Sequence, residues 1–150
     1  MMINKTSFKT KIGWISIFEK DGKIFKIRFG KIKSNSKSKI LLKFKKNILK
    51  FYSKKTLSIN TKYKIQGSPT QKKIWNEMKR IKSGNTKSYG AIAKKYNISP
   101  RYVGKICGQN KLPLLIPCHR VIRSDGSLGG FTGAGINLKK KLLKFEQAWK

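Results

Sequence analysis

One cysteine stands directly before the only histidine of the chain, at Cys118-His119-Arg120, and the apolar run Leu112-Pro113-Leu114-Leu115-Ile116-Pro117 leads into it. A cysteine reacts as its thiolate, and a free thiol is mostly protonated at neutral pH. A neighbouring imidazole favours the thiolate by taking its proton, and a guanidinium such as that of Arg120 favours it by charge. A bare Cys-His pair is more often a buried structural thiol beside a surface imidazole. Pro117 argues the other way here: it removes a backbone donor and breaks a strand just before Cys118, so the two side chains need not point to opposite faces. The second cysteine, Cys107, falls on an apolar helical stripe and reads as core.

The elements that must hold this stretch can be read from periodicity and caps. Lys11 to Phe18 and Lys23 to Gly30 are rich in β-branched and aromatic residues around Lys20-Asp21-Gly22, which predicts a β-hairpin. Lys31 to Lys39 is a serine-rich loop. From Lys39 to Tyr52 the residues Leu41, Phe44, Ile48 and Phe51 recur at helical spacing. Ser53 to Gln66 is a connection with room for one more strand. Ser68-Pro69-Thr70-Gln71 is a capping box that opens a helix with Ile74, Trp75, Met78 and Ile81 inward, ended by Ser83-Gly84. Tyr89, Ile92, Ala93 and Tyr96 form one short helix. After Asn97-Ile98-Ser99, Pro100 starts another, with Val103, Ile106 and Cys107 on one face, stopped by Gly108. That pair has helix-turn-helix form. A last helix is expected over Leu138 to Trp149, capped by Asn137, with Leu138, Leu142, Phe145 and Trp149 buried. The whole predicts an α+β protein with an N-terminal sheet-and-helix lobe over 1–65 and a helix-turn-helix lobe carrying the Cys-His pair over 66–150.

The 150 residues hold 37 Lys and Arg against five Asp and Glu, a formal net charge of +32. Such a surface attracts polyanions, nucleic acid first and an anionic membrane second. Lysines scattered along the whole chain also fit a general lysine bias and locate no binding face. No apolar run approaches the roughly 20 residues of a membrane helix, and the first residues lack a secretory apolar stretch, so a cytoplasmic protein is expected. Two cysteines and one histidine cannot fill a four-ligand structural zinc site, so no metal is expected.

The motif PCHRV preceded by NKLPLLI, with Arg101 upstream and LGGF then LLKFE downstream, resembles the O6-alkylguanine-DNA alkyltransferases, also called methylated-DNA–protein-cysteine methyltransferases. The resemblance runs over about residues 67–146. It implies a ribonuclease-H-like first lobe and a winged-helix-like second one. It further implies Cys118 as alkyl acceptor, His119 as its base and Glu146 as the carboxylate that orients the imidazole. By the same resemblance Asn110 is a hinge tying the helix-turn-helix to the site, and Arg101 fills the base stack when a nucleotide flips out. Tyr89 helps to rotate the nucleotide phosphate. Phe131 takes a place where a tyrosine is common, keeping the stacking face of the guanine pocket and losing the hydroxyl.

The expected function is direct repair of alkylated guanine in double-stranded DNA, one turnover per molecule, by a monomer with no cofactor and no obligate protein partner. Two rivals from other classes are a non-enzymatic binder of alkylation damage and a cysteine hydrolase. The first would replace the cysteine, and the second needs an oxyanion hole for which no signature is present.

Overall fold

A computed structural model of the chain describes residues 2–34, 36–131 and 134–149. The chain divides into two compact units, Met1–Gln66 and Gly67–Lys150.

The first unit is an antiparallel meander, β1 (Asn4–Thr10), β2 (Gly13–Lys20) and β3 (Lys23–Phe29), covered by helix α1 (Lys39–Tyr52). Pairing Phe8 with Ile15, Thr6 with Ile17, and Ile17 with Ile27 brings these side chains to one buried face. A register shift at Phe18/Glu19 restores Ile24 to that face. Against it α1 buries Leu41, Phe44, Ile48 and Phe51, the stripe its periodicity predicts. The segment after α1 returns to the sheet edge, where the Ile24 N–H donates to the Lys62 carbonyl at 3.0 Å.

The expectation of a two-stranded hairpin is corrected by β1. Its residues NKTSFKT are polar, and only Thr6 and Phe8 are buried. An edge strand can be held by ladder bonds and two inward side chains, and such a strand has little periodic signal. Lys11 and Ile12, assigned to the hairpin's first strand, form the turn instead, and Gly13 adopts φ +114°.

The second unit opens with α2 (Pro69–Lys79), whose capping box is formed on both sides. The Ser68 hydroxyl accepts from the Gln71 N–H, and the Gln71 side chain accepts from the Ser68 N–H. A short strand β4 (Lys87–Ser88) runs into α3 (Tyr89–Tyr96), and Asn97, in the left-handed region at φ 54°, turns the chain toward α4 (Pro100–Gly108). Ser88 and Ser99 cap these helices, each accepting from the N–H three residues on. The Trp75 indole donates to the Ile106 carbonyl at 3.1 Å, tying α2 to α4. Strand β5 (Val121–Ile122) lies parallel to β4.

The last helix, α5, spans Gly135–Phe145, earlier than expected. Its cap position is Ala134, which makes no side-chain cap bond, and Asn137 lies inside the first turn. The buried stripe is Lys139, Leu142, Leu143 and Glu146; Leu138 and Phe145 are half-buried, and Trp149 lies beyond the helix. Gln147, at φ 60°, ends the helical run.

A buried acid braces α2 against α3 and β4. The Glu77 carboxylate accepts from Lys95 Nζ at 2.8 Å, Lys87 Nζ at 2.9 Å and the Tyr96 hydroxyl at 2.7 Å. These bonds, Lys95 first, hold its carboxyl down to about 2. Both lysines are half exposed and re-solvate easily, so Glu77→Ala should cost about 1–3 kcal/mol, the usual range for charge-assisted bonds to a buried group. Urea unfolding at neutral pH measures it, and an unchanged midpoint would show that the brace contributes nothing.

Candidate active site

Cys118, His119 and Arg120 form one turn of 3-10 helix, entered from Pro117 and left through β5. The turn sets the two side chains less than a strand's half-turn apart, the freedom expected from the proline. The approach is unusual in one respect: buried Leu114 sits at φ 74°, a conformation that costs a non-glycine residue roughly 1–3 kcal/mol and survives only where packing holds it. Leu112, Leu115 and Ile116 beside it in the chain are likewise nearly inaccessible.

Asn110 secures the turn from below. Its amide nitrogen donates to the Ile116 carbonyl at 2.9 Å and to Cys118 Sγ at 3.3 Å, while its oxygen accepts from the Leu112 N–H at 2.9 Å. One buried side chain thus fixes the backbone before the cysteine and offers the sulfur a donor, which favours its charged form.

His119 is fully buried. Its Nε2 lies 3.0 Å from Glu146 Oε2, and its Nδ1 has no protein partner among the described residues. Burial would by itself raise the Glu146 carboxyl, but the bonds from Arg120 and His119 outweigh it and hold the group down to about 2. An ionised carboxylate only accepts, so Nε2 must carry the imidazole proton. Nδ1 is then left with its lone pair. Burial also pushes the imidazole below its ordinary value despite the carboxylate, so the ring is neutral and ready to accept a proton.

The guanidinium of Arg120 is engaged by a carboxylate. It forks Glu146, Nε to Oε1 at 2.8 Å and Nη2 to Oε2 at 2.9 Å, and Nη1 donates to the Ile81 carbonyl at 2.6 Å. Its charge is compensated there by the carboxylate.

Above Cys118 opens a cleft of about 590 Å³, whose walls include Tyr89, Arg101, Gly104, Arg123 and Phe131. Arg101 is exposed at the start of α4, directly after Pro100. Phe131 lies edge-on to the His119 ring with centroids 6.3 Å apart. Gly129 has φ +73°, and a Cβ there would meet the Tyr89 ring at 3.1 Å, so the glycine lets packed chain approach closely.

Lys139 was not legible as a site residue. It is buried on α5, where Nζ donates to the Tyr89 hydroxyl oxygen at 3.2 Å and to the Gly130 carbonyl at 3.0 Å. Burial lowers its ammonium to about 8. Because the Tyr89 oxygen accepts from Lys139, the phenolic O–H remains available for donation into the cleft. Its position on the apolar stripe, three residues before Leu142 and seven before Glu146, was the available signal.

Cys107 is buried on α4 with Sγ 3.9 Å from Met78 Sδ, and burial pushes its thiol far up. It is inert by comparison. Among the described residues no group of three or more His, Cys, Asp or Glu side chains could hold a metal ion. No helix among them is long and apolar enough to cross a membrane.

Residues 69–148 match the family model described as 6-O-methylguanine DNA methyltransferase, DNA binding domain. The methylated-DNA–protein-cysteine methyltransferase of Methanocaldococcus vulcanius is 43% identical, over 85% of this chain and 80% of that protein. The solved O6-methylguanine-DNA methyltransferase of Pyrococcus kodakaraensis superposes with a TM-score of 0.61 at 26% identity, covering 97% of this chain and 99% of the other. The fold is shared more closely with the O6-methylguanine methyltransferase of Mycobacterium tuberculosis, at a TM-score of 0.84, 23% identity, and coverage of 99% and 95%.

Proposed function

The chain belongs to the methylated-DNA–protein-cysteine methyltransferase family, which repairs DNA by moving an alkyl group from guanine O6 onto a cysteine of the protein itself, and we propose that Cys118 is that cysteine. The observation that supports this most directly is the chain of contacts Asn110–Cys118 and His119–Glu146–Arg120 beneath a cleft.

The contacts support a part for each residue. His119 Nδ1 takes the thiol proton, passed through a bridging water, while Glu146 stabilises the imidazolium that results. Asn110 donates to the developing thiolate. The sulfur attacks the alkyl carbon in line, the S–C bond forms, and the C–O6 bond breaks with its electron pair moving into the guanine ring. Tyr89, its oxygen held by Lys139, donates a hydrogen bond to the departing base, and the proton taken from the thiol passes from the imidazolium to the guanine ring by way of solvent. Guanine leaves neutral, and a thioether remains on Cys118.

The substrate of this reading is duplex DNA carrying an O6-alkylguanine, handled by a cytoplasmic protein. A base stacked in a duplex cannot bring its alkyl carbon to a sulfur on a cleft floor, so the nucleotide must leave the stack. Arg101, exposed at the helix start on the cleft rim, is the residue to occupy the gap. Phe131 offers the extruded base an aromatic edge or face.

Arg101→Ala is therefore expected to slow transfer from duplex at least 10-fold while leaving transfer from the free alkylated base nearly unchanged, because the free base needs no unstacking. Rapid-quench kinetics on both substrates checks it. Equal losses on the two would remove Arg101 from base extrusion.

A further inference from the structure

The first unit holds 19 of the 37 basic residues and only Glu19 and Asp21 of the five acids, yet none of the proposed chemistry uses it. Glu19 is buried, accepting from the Asn4 side chain and the Gly22 N–H, so the exposed Asp21 is the one acid this unit presents to solvent among the described residues. Helix α1 concentrates the positive charge. Lys39, Lys43, Lys46 and Lys50 are all exposed and recur at spacings of four, three and four, which aligns them on one helical face. Among the described residues none of the four is in an ion pair with an acid. This is more than scattered lysine: it is a stripe of like charge with no internal counter-charge.

The surroundings of the stripe are concave. A cleft of about 750 Å³ flanks it, lined by Lys39, Lys43 and Lys62. A smaller one of about 390 Å³ includes Lys46, Lys50 and Lys55. The larger cleft is built rather than incidental. The Asn47 amide donates to the Ser58 carbonyl at 3.1 Å, and its oxygen accepts from the Asn60 N–H at 2.8 Å. The Lys62 carbonyl is fixed to β3 through Ile24. The loop that carries Lys62 is therefore pinned at both ends, holding a cation opposite Lys39 and Lys43 before any ligand arrives.

From this we infer that α1 and the 60–62 segment form a second DNA-binding surface, which grips the phosphate backbone of a duplex without reading its sequence. The stripe runs 12 residues from Lys39 to Lys50, about 16 Å along the helix axis, and one DNA strand presents a phosphate about every 3.4 Å of duplex axis. Four or five phosphates therefore face four lysines. A membrane surface fits less well, because an interfacial helix must turn an apolar face to lipid, and the apolar face of α1 is buried on the sheet. The surface would add sequence-independent affinity, which holds a repair protein on undamaged DNA while it searches.

The test uses the full chain and undamaged duplex of about 25 base pairs, so its outcome does not depend on alkyl transfer. Lys39, Lys43, Lys46 and Lys50 are changed together to Gln, and a control of equal charge changes exposed Lys9, Lys11, Lys31 and Lys33 to Gln. The logarithm of affinity against that of salt concentration should lose about 3–4 of its slope in the α1 variant, close to 0.9 per lost phosphate contact, and less than 1 in the control. Equal changes in the two, or none in the α1 variant, would overturn the surface and leave only general charge. Transfer from the free alkylated base, unchanged in both, shows that each variant is folded. On the wild-type chain, bound duplex should protect the four α1 lysines from amine acylation read by mass spectrometry; acylation at the free-protein rate would also overturn it.

Discussion

Mixed with an excess of duplex carrying O6-methylguanine, the protein should transfer methyl groups in a burst equal to its own amount and then stop. Cys118→Ala should transfer none at all. The thioether formed is a poor leaving group, so no further turnover is expected. Cys107 cannot serve, since it is packed against Met78 with its thiol pushed up by burial. Mass mapping should find one methyl group on the peptide holding Cys118 and none on that holding Cys107. The alanine variant should keep its affinity for DNA and the steep salt dependence of that affinity, because phosphate contacts do not involve the thiol. Repeated turnover would instead point to a hydrolase, and tight binding to damaged duplex without a methylated cysteine would point to a non-enzymatic damage binder.

What the amino-acid sequence made legible follows from how local each signal is. Helices α2, α3 and α4 begin at Ser68, Ser88 and Ser99, where a hydroxyl caps the first turn and, for two of them, proline follows; such signals need no partner elsewhere in the chain. Helix α5 has no such cap, and its bounds were misread by three residues at the start. Strand β1 depends on β2 for its existence, and a polar edge strand tells little by itself. The same reasoning divides the site. Cys118, His119 and Glu146 are visible as residue types in a recognisable frame, but the direction in which Arg120 turns is decided by a carboxylate 26 residues away. Two charged residues did leave a trace that could be read. Glu77 lies between Ile74 and Ile81 at helical spacing, and Lys139 falls on the stripe of Leu142 and Leu143. A charge on an apolar stripe must find a buried partner, so each was a candidate for a specific bond.

Replacing Glu146 tests whether the buried carboxylate serves catalysis as well as the fold. In Glu146→Gln the Arg120 side chain, which is only 10% exposed, keeps its charge and loses its counter-ion. Breaking one side of a buried pair in this way costs about 3–5 kcal/mol, most of it the uncompensated charge. The pH dependence of stability carries the same signature. The Glu146 carboxyl is held at about 2, below its unfolded value of roughly 4, so its contribution is present above that unfolded value and is lost as pH falls toward 2. His119 is held neutral below its unfolded value near 6.5, so stability also declines as pH falls through that value. Urea midpoints over a pH series should show both stages in the wild-type protein, with the lower one reduced in Glu146→Gln. Adding Arg120→Met removes the stranded charge and should recover at least half of the lost stability. It should not recover transfer. Without the carboxylate the imidazole loses the partner that stabilises its charged form, and transfer at neutral pH should stay down by about 10²-fold or more, the usual reach of a positioned general base. A double variant that regains both stability and transfer would show that Glu146 holds the fold alone, and that His119 needs no carboxylate to draw the proton from Cys118.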